Sequence, residues 1–510
     1  MNFSQARERL VQAGAVFAAA ALVAGCGNNY RPVVNPVNPS GPPPQPQSLV
    51  AVVTAPSPTT PGIATVIDYA GDSILAQASI GPGPSAFTLD ETGYEGYTIN
   101  SDNTITDIPI STTLQTKSVS YSTLPSTAKP LNLFSPSGGM WAADLTGNYA
   151  DVFTGAPVSL LLSIPLAPTP VMVMGPTIPG GKRYFALSQN INNPTGVECN
   201  QSPTTQPYGI VTPIEVASYT TDTSITVGRC PVYAVESSDS TRLFVINRGS
   251  DTISVVNAQY GTLNTCVPFL NQAGRMVTCH PTLPLSQAAL TAANAPSNCN
   301  FTSDSTCSLP ADGGLPAVAG PVYAEYNMAK NLLVVADYAG NTISVIDVSE
   351  DEYGNDSATF GTTYTIPVGN NPASVTVLFD GSRAYTANQT DQTVTIANLS
   401  SYTVEKTLAV TGYPRTVVNT QNSIYGKVYV ASPNTDYLTI LRTDQDIVDT
   451  TILLEGDIVD VRVSTQNGSS GNGNIVSRIP GYGQPCNLPP GVMATMYPLG
   501  YTLADCQKQP

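Results

Sequence analysis

Short runs of β-branched and aromatic residues, broken by Gly, Pro, Asn, Asp and Ser, follow one another from Ser48 to Val463. No long segment repeats its apolar positions every 3.6 residues, so the pattern predicts strands and turns throughout, an all-β body. The runs also repeat one another. Arg242-Leu243-Phe244-Val245-Ile246-Asn247, then a polar turn and Thr252-Ile253-Ser254-Val255-Val256-Asn257, returns as Leu332 to Asp337 with Thr342 to Asp347. Further copies are Arg383 to Asn388 with Thr393 to Asn398, and Lys427 to Ser432 with Tyr437 to Leu441. Fainter ones lie at Tyr97 to Asn100 with Thr104 to Thr106, and at Arg183 to Ser188.

These copies resemble the YVTN β-propeller repeat, in which a basic residue, an aromatic, Val, Ala or Thr and Asn precede a turn and a Thr-Val-Ser-Val-Ile-Asp strand. The match is strong from about Val232 to Val463 and weaker before it. The resemblance implies a ring of four-stranded blades, for which a repeat of about 40–50 residues is expected. Prolines at 84, 130, 170, 231, 321, 372 and 414 each open an innermost strand, where a missing N–H is tolerated. An eighth innermost strand, Ile458 to Val463, has no proline, and Leu49 to Val53, Ala64 to Tyr69 and Ile74 to Ser79 have no inner partner. Pairing the C-terminal strand with this N-terminal trio closes the ring without an exposed edge. The expectation is therefore eight blades, with seven, the commoner number for the repeat, as the alternative. Pro372 and Pro414 are 42 residues apart, whereas Pro231 and Pro321 are 90 apart, which requires an insertion at about 267–318.

The N-terminus reads as an address. Residues 1–25 carry Arg7 and Arg9 before an apolar run too short to span a bilayer, as in a secretory signal. Leu22-Val23-Ala24-Gly25-Cys26 resembles a bacterial lipobox, which implies cleavage before Cys26 and attachment of lipid to it. Lipid chains contribute about 0.8 kcal/mol per buried CH₂, so an acylated Cys26 holds the protein on a membrane. Gly27, in place of Asp, resembles lipoproteins sorted to the outer membrane, on its periplasmic or surface face. Residues 26–47 then form a Pro-rich tether whose polyproline II conformation extends about 3.1 Å per residue. Residues 464–510, rich at first in Gly, Ser and Asn, read as a flexible tail with a bridged flap.

Composition narrows the function. Lys and Arg number 20 against 36 Asp and Glu, a net charge of −16, so there is no basic surface for nucleic acid and little attraction to anionic headgroups. His280 is the only histidine, which leaves too few parts for His-rich metal sites. Besides Cys26 the chain has Cys199, Cys230, Cys266, Cys279, Cys299, Cys307, Cys486 and Cys506. In an exported protein these read as four disulfides with 105 possible connectivities. Loop-closure entropy and locality favour 199–230, 266–279, 299–307 and 486–506.

Two groups are candidate sites. Tyr233, Glu236, Tyr323, Glu325, Tyr413 and Arg415 lie on or beside innermost strands and could line a channel pocket, although packing between blades is the plainer use of the tyrosines. Glu350, Asp351, Glu352 and Asp356 offer carboxylates for Ca²⁺ but lack the alternation of an EF-hand loop; a solvated loop is the plainer reading. Other cofactors are not expected. Propellers of similar repeat pattern include lactonases, haem d1 domains and quinoprotein dehydrogenases. A d1 haem needs an axial histidine on a blade, a tryptophan-docking quinoprotein needs more than Trp141, and no Gly-x-Ser-x-Gly, P-loop or dinucleotide motif occurs. The reading favours binding over catalysis: an envelope scaffold holding an envelope protein, a polysaccharide or a small ligand. The alternative is a metal-dependent, lactonase-like hydrolase or lyase acting at the channel.

Overall fold

The computed structural model describes residues 49–464, apart from 69–70, 91–92, 94, 111–118, 126–127, 137–138, 156, 177–181, 193–206, 291–313 and 421–425. The described residues form eight antiparallel blades arranged in a ring. The innermost strands are Asp457–Val463 in blade 1, then Ala86–Leu89, Pro130–Phe134, Pro170–Met174, Pro231–Glu236, Pro321–Asn327, Pro372–Val377 and Thr416–Asn419 in blades 2 to 8. Each expected proline opens or just precedes one of them. The inner strands are buried almost throughout because neighbouring blades cover both of their faces, whereas the outermost strand of blade 7, Thr403–Ala409, is largely exposed.

Closure follows the expected route. In blade 1 the innermost strand comes from the C-terminal end and the other three from the N-terminal end. Val50 pairs with Val463 and Val52 with Val461. The Ser464 hydroxyl accepts from Leu49 N at 2.6 Å, and Ser464 N donates to Leu49 O at 2.8 Å.

The repeated residues have physical reasons. Asn ends the second strand because its amide donates to two hydroxyls of the third: Asn100 to Thr104 and Thr106 (3.0 and 2.8 Å), and Asn388 to Thr393 and Thr395 (3.0 and 2.7 Å). Asn247 does the same with Thr252 and Ser254. Blade 6 has Asp337 there, which accepts from Thr342 and Ser344 instead.

The basic and aromatic residues of the repeat are clamps between blades. Arg383 and Tyr385 of blade 7 both reach Asp446 of blade 8, and Lys427 and Tyr429 of blade 8 reach Asp72 of blade 1. Asp72 and Asp446 each stand just before an outermost strand with positive φ, where Gly261 stands in blade 5. Asp tolerates that left-handed turn better than most residues, so one position serves both the turn and the clamp. Elsewhere the seams are aromatic. Trp141 of blade 3 lies 4.5 Å from the Tyr184 ring of blade 4, and Tyr364 of blade 6 stacks on Tyr402 of blade 7 at 3.8 Å.

Candidate functional site

An innermost strand has a ladder partner on one side only, so half of its backbone groups need another partner. The preceding blade supplies it. Asn132 accepts from Val173 N (3.0 Å), Glu325 from Val377 N (2.9 Å) and Ser374 from Val417 N (3.2 Å). Glu325, a candidate pocket residue, therefore joins blade 6 to blade 7. Of the other candidates, Tyr233 and Tyr323 meet across the blade 5–6 seam with ring centroids 4.6 Å apart, while Glu236 and Arg415 are buried. Tyr413 is half-buried in blade 8, where its N–H donates to Asn434. The ring thus brings the two tyrosines together and leaves Tyr413 and Arg415 in a different part of it.

The acidic loop closes the outer part of the same seam. Asp356 is fully buried and accepts from both the backbone N–H and ring of His280, each at 2.9 Å. It also accepts from Asn264 at 2.9 and 2.8 Å, and pairs with Arg242 at 3.4 Å. Glu350 pairs with Arg242 at 3.2 Å, Asp351 accepts from Asn271 at 3.0 Å, and Glu352 is exposed. Among the described residues no group of three or more His, Cys, Asp or Glu is placed to hold a metal.

What these contacts hold is a hairpin. The outermost strand of blade 5 is split into Thr262–Leu263 and Thr282–Pro284, both paired to Thr252–Asn257. The second half lies inside the segment read as an insertion, so part of that segment completes the blade. Between the halves, Phe269–Leu270 pairs with Met276–Val277, and the Cys266–Cys279 disulfide closes the base. Val277 is buried, but Val267 is 85% exposed, Leu270 63% and Met276 64%. Tyr260, in the preceding turn, is also exposed. The sequence signal for this feature was the paired cysteines; the outward apolar side chains gave none.

A second cluster escaped the sequence reading. In blade 2 the position occupied by Arg183, Arg242, Arg383 and Lys427 elsewhere holds Glu95, on the same sheet face as Tyr97 and Asp107. Burial, with Asp107 and Asp90 alongside, pushes the Glu95 carboxyl up to about 7. Asp107 is raised by burial too, and the interaction between the two carboxyls pushes Glu95 up and Asp107 down, so the proton is favoured on Glu95. The visible signal was a missing cation at a repeat position.

Of the other expected sites, Cys230 is disulfide-bonded. Cys26, Cys199, Cys299, Cys307, Cys486 and Cys506 lie outside the described residues.

No protein-family model matches the chain, and no curated protein matches its sequence. Solved structures do. The chain is similar to dihydro-heme d1 dehydrogenase NirN in complex with DHE, with TM-score 0.55 and 12% identity over 85% of this chain and 78% of that one. It is also similar to AztD from Citrobacter koseri (0.49, 12%, 82% and 97%). A third is the Pseudomonas aeruginosa periplasmic gluconolactonase PpgL (0.45, 15%, 82% and 98%). At such identities likeness extends to the fold alone. The class is the eight-bladed β-propeller.

Proposed function

We propose that this protein is a lipid-anchored, extracytoplasmic propeller that works as a binding scaffold in the bacterial envelope. The observation that carries the reading is the use of its polar side chains. Glu325, Glu350, Asp356, His280, Arg242, Arg383 and Lys427 are all bonded across blade seams, where they stiffen the ring. A rigid disc of this kind displays a surface with little ordering cost on binding. Residues 1–47, with the lipobox-like Leu22 to Cys26 and the Pro-rich tether, support export and anchoring, with the outer membrane as the destination. The partner is an envelope protein, polysaccharide or small ligand on a disc face.

Crosslinking in the native envelope tests this. A discrete partner recovered with the lipidated protein and lost with Cys26→Ala is the expected result. A fall in melting temperature with EDTA, reversed by a divalent ion, would overturn the scaffold in favour of a metal enzyme.

A further inference from the structure

We propose that the disulfide-closed hairpin of blade 5 is a second membrane contact, which rests its apolar side on the lipid surface and fixes the tilt of the tethered disc. The proposal rests on the anchoring read from Cys26 and adds an orientation to it.

Position is the first argument. The described chain enters the ring at Leu49, beside Ser464 at the end of the innermost strand of blade 1. All innermost strands run from the face where the prolines open them to the face of the Asp72 and Asp446 clamps, so Leu49 lies at the clamp face. The hairpin leaves blade 5 two residues beyond the turn on that same face, and Asn271 and His280 pin it to the Asp351 and Asp356 loop of blade 6. Blades 1 and 5 stand opposite each other in a ring of eight. A disc tethered at blade 1 alone can pivot, and the hairpin contacts the surface at the far side.

Chemistry is the second. Leu270 and Met276 are cross-strand partners on one side of the hairpin, and Val267 precedes them, all turned to solvent. Exposed apolar clusters of this kind mark protein or membrane contacts. The exposed apolar side chains of the hairpin, Val267, Phe269, Leu270 and Met276, include no Trp or Tyr, the residues that together with Arg dominate protein hot spots. Between Cys266 and Cys279 the only charged residue is Arg275, in a chain of net charge −16. Between its cysteines the hairpin thus carries no anionic side chain; in the acidic loop beside its turn Asp351 is engaged by Asn271 and Asn355, and Glu352 is exposed. The 24 residues from Cys26 to Leu49 reach tens of ångströms at about 3.1 Å each, so the tether permits this contact.

Trp141 is the sole tryptophan and is buried in the blade 3–4 seam, which makes Leu270→Trp a clean reporter. The lipidated Leu270→Trp protein is reconstituted with phosphatidylcholine vesicles whose acyl chains are brominated. Leu270 and Met276 are exposed, so these variants keep the fold, which unchanged thermal unfolding verifies. The expected result is flotation with the vesicles and loss of the added emission, while the protein with Trp141 alone is unquenched. Adding Val267→Asp and Met276→Asp should restore the emission without preventing flotation. Flotation without quenching, or quenching that survives both Asp substitutions, overturns the hairpin contact and leaves the anchor standing. Failure to float overturns both. An unquenched reporter together with a dimer by light scattering that Leu270→Asp abolishes assigns the surface to a second copy instead.

Discussion

His280 Nδ1 lies 2.9 Å from Asp356 Oδ2, and this contact joins the only histidine of the chain to the most heavily bonded carboxylate of the blade 5–6 seam. Asp356 also receives Asn264, Arg242 and the His280 backbone, so one side chain ties the base of the hairpin to the next blade.

Asp356→Ala should therefore destabilise strongly. It leaves the buried Arg242 guanidinium paired with Glu350 alone among the two carboxylates of this loop that hold it, and breaking a buried pair costs about 3–5 kcal/mol. His280→Ala removes one hydrogen bond and should cost about 1 kcal/mol. Denaturant unfolding of the two variants checks the ranking; equal losses would show that His280 and not Asp356 is the centre.

The Cys266–Cys279 disulfide closes a separation of 13 residues. A closed loop of about 15 residues corresponds to roughly 3 kcal/mol in the chain-entropy account. Because Asn264 and His280 hold the base independently, the double Ser variant should keep the ring and loosen the hairpin locally. Limited trypsin digestion should then cut after Arg275 faster than in the parent, while global unfolding stays cooperative and loses no more than about 3 kcal/mol. A collapse of the whole unfolding transition would contradict this division.

The blade 2–3 seam should weaken as pH rises from about 4.5 to about 7. Native Glu95 holds its proton to about pH 7, against an ordinary value of 4.5, mainly through burial. Between these values the native state binds more protons than the unfolded one, so stability falls as pH rises through the window. Glu95→Gln should flatten that slope. Glu95→Arg, which restores the cation of the other seams beside Asp107, should raise the melting temperature above pH 7 by on the order of 1–2 °C. Melting curves from pH 4 to 9 decide; an unchanged slope in Glu95→Gln would exclude the group.

Asp337 is wholly buried, and burial pushes its carboxyl up to about 8. It stands where Asn100, Asn247 and Asn388 stand in other blades, and as a protonated acid it serves the same purpose. Its contribution falls as pH rises from 3.8 towards 8, because the unfolded chain loses the proton first. Asp337→Asn should stabilise by about 1–3 kcal/mol at pH 9 and change little near pH 4. Destabilisation at both pH values would show that Ser344 and Thr342 require a carboxylate.

The fold was legible because most blades repeat parts of one local solution. A proline opens the inner strand, Asn bonds the next two hydroxyls, and hydroxyl-rich strands alternate with buried ones. Asn247 and Ser254 are seven residues apart, and such contacts leave a periodic trace. The candidate sites were less legible. Glu325 was read as one of several channel candidates, and its carboxylate accepts from Val377 N, 52 residues away in the next blade, a contact no local spacing shows. The acidic loop read more plainly as a solvated loop than as a Ca²⁺ site, and neither reading foresaw that Asp356 meets Arg242 across 114 residues, as Lys427 meets Asp72 across 355.

The sequence by itself determined the all-β class and the closure by the two ends of the repeat region, and it favoured eight blades over seven and the Cys266–Cys279 bond among 105 connectivities. Hydrophobic alternation, turn residues and loop-closure entropy act over short stretches of chain. Only the tertiary structure decided which charges meet across the seams, that Glu95 faces Asp107 without a cation, and that Val267, Leu270 and Met276 point outward. Those outcomes depend on how one blade is rotated against the next, and no local spacing of residues encodes that angle.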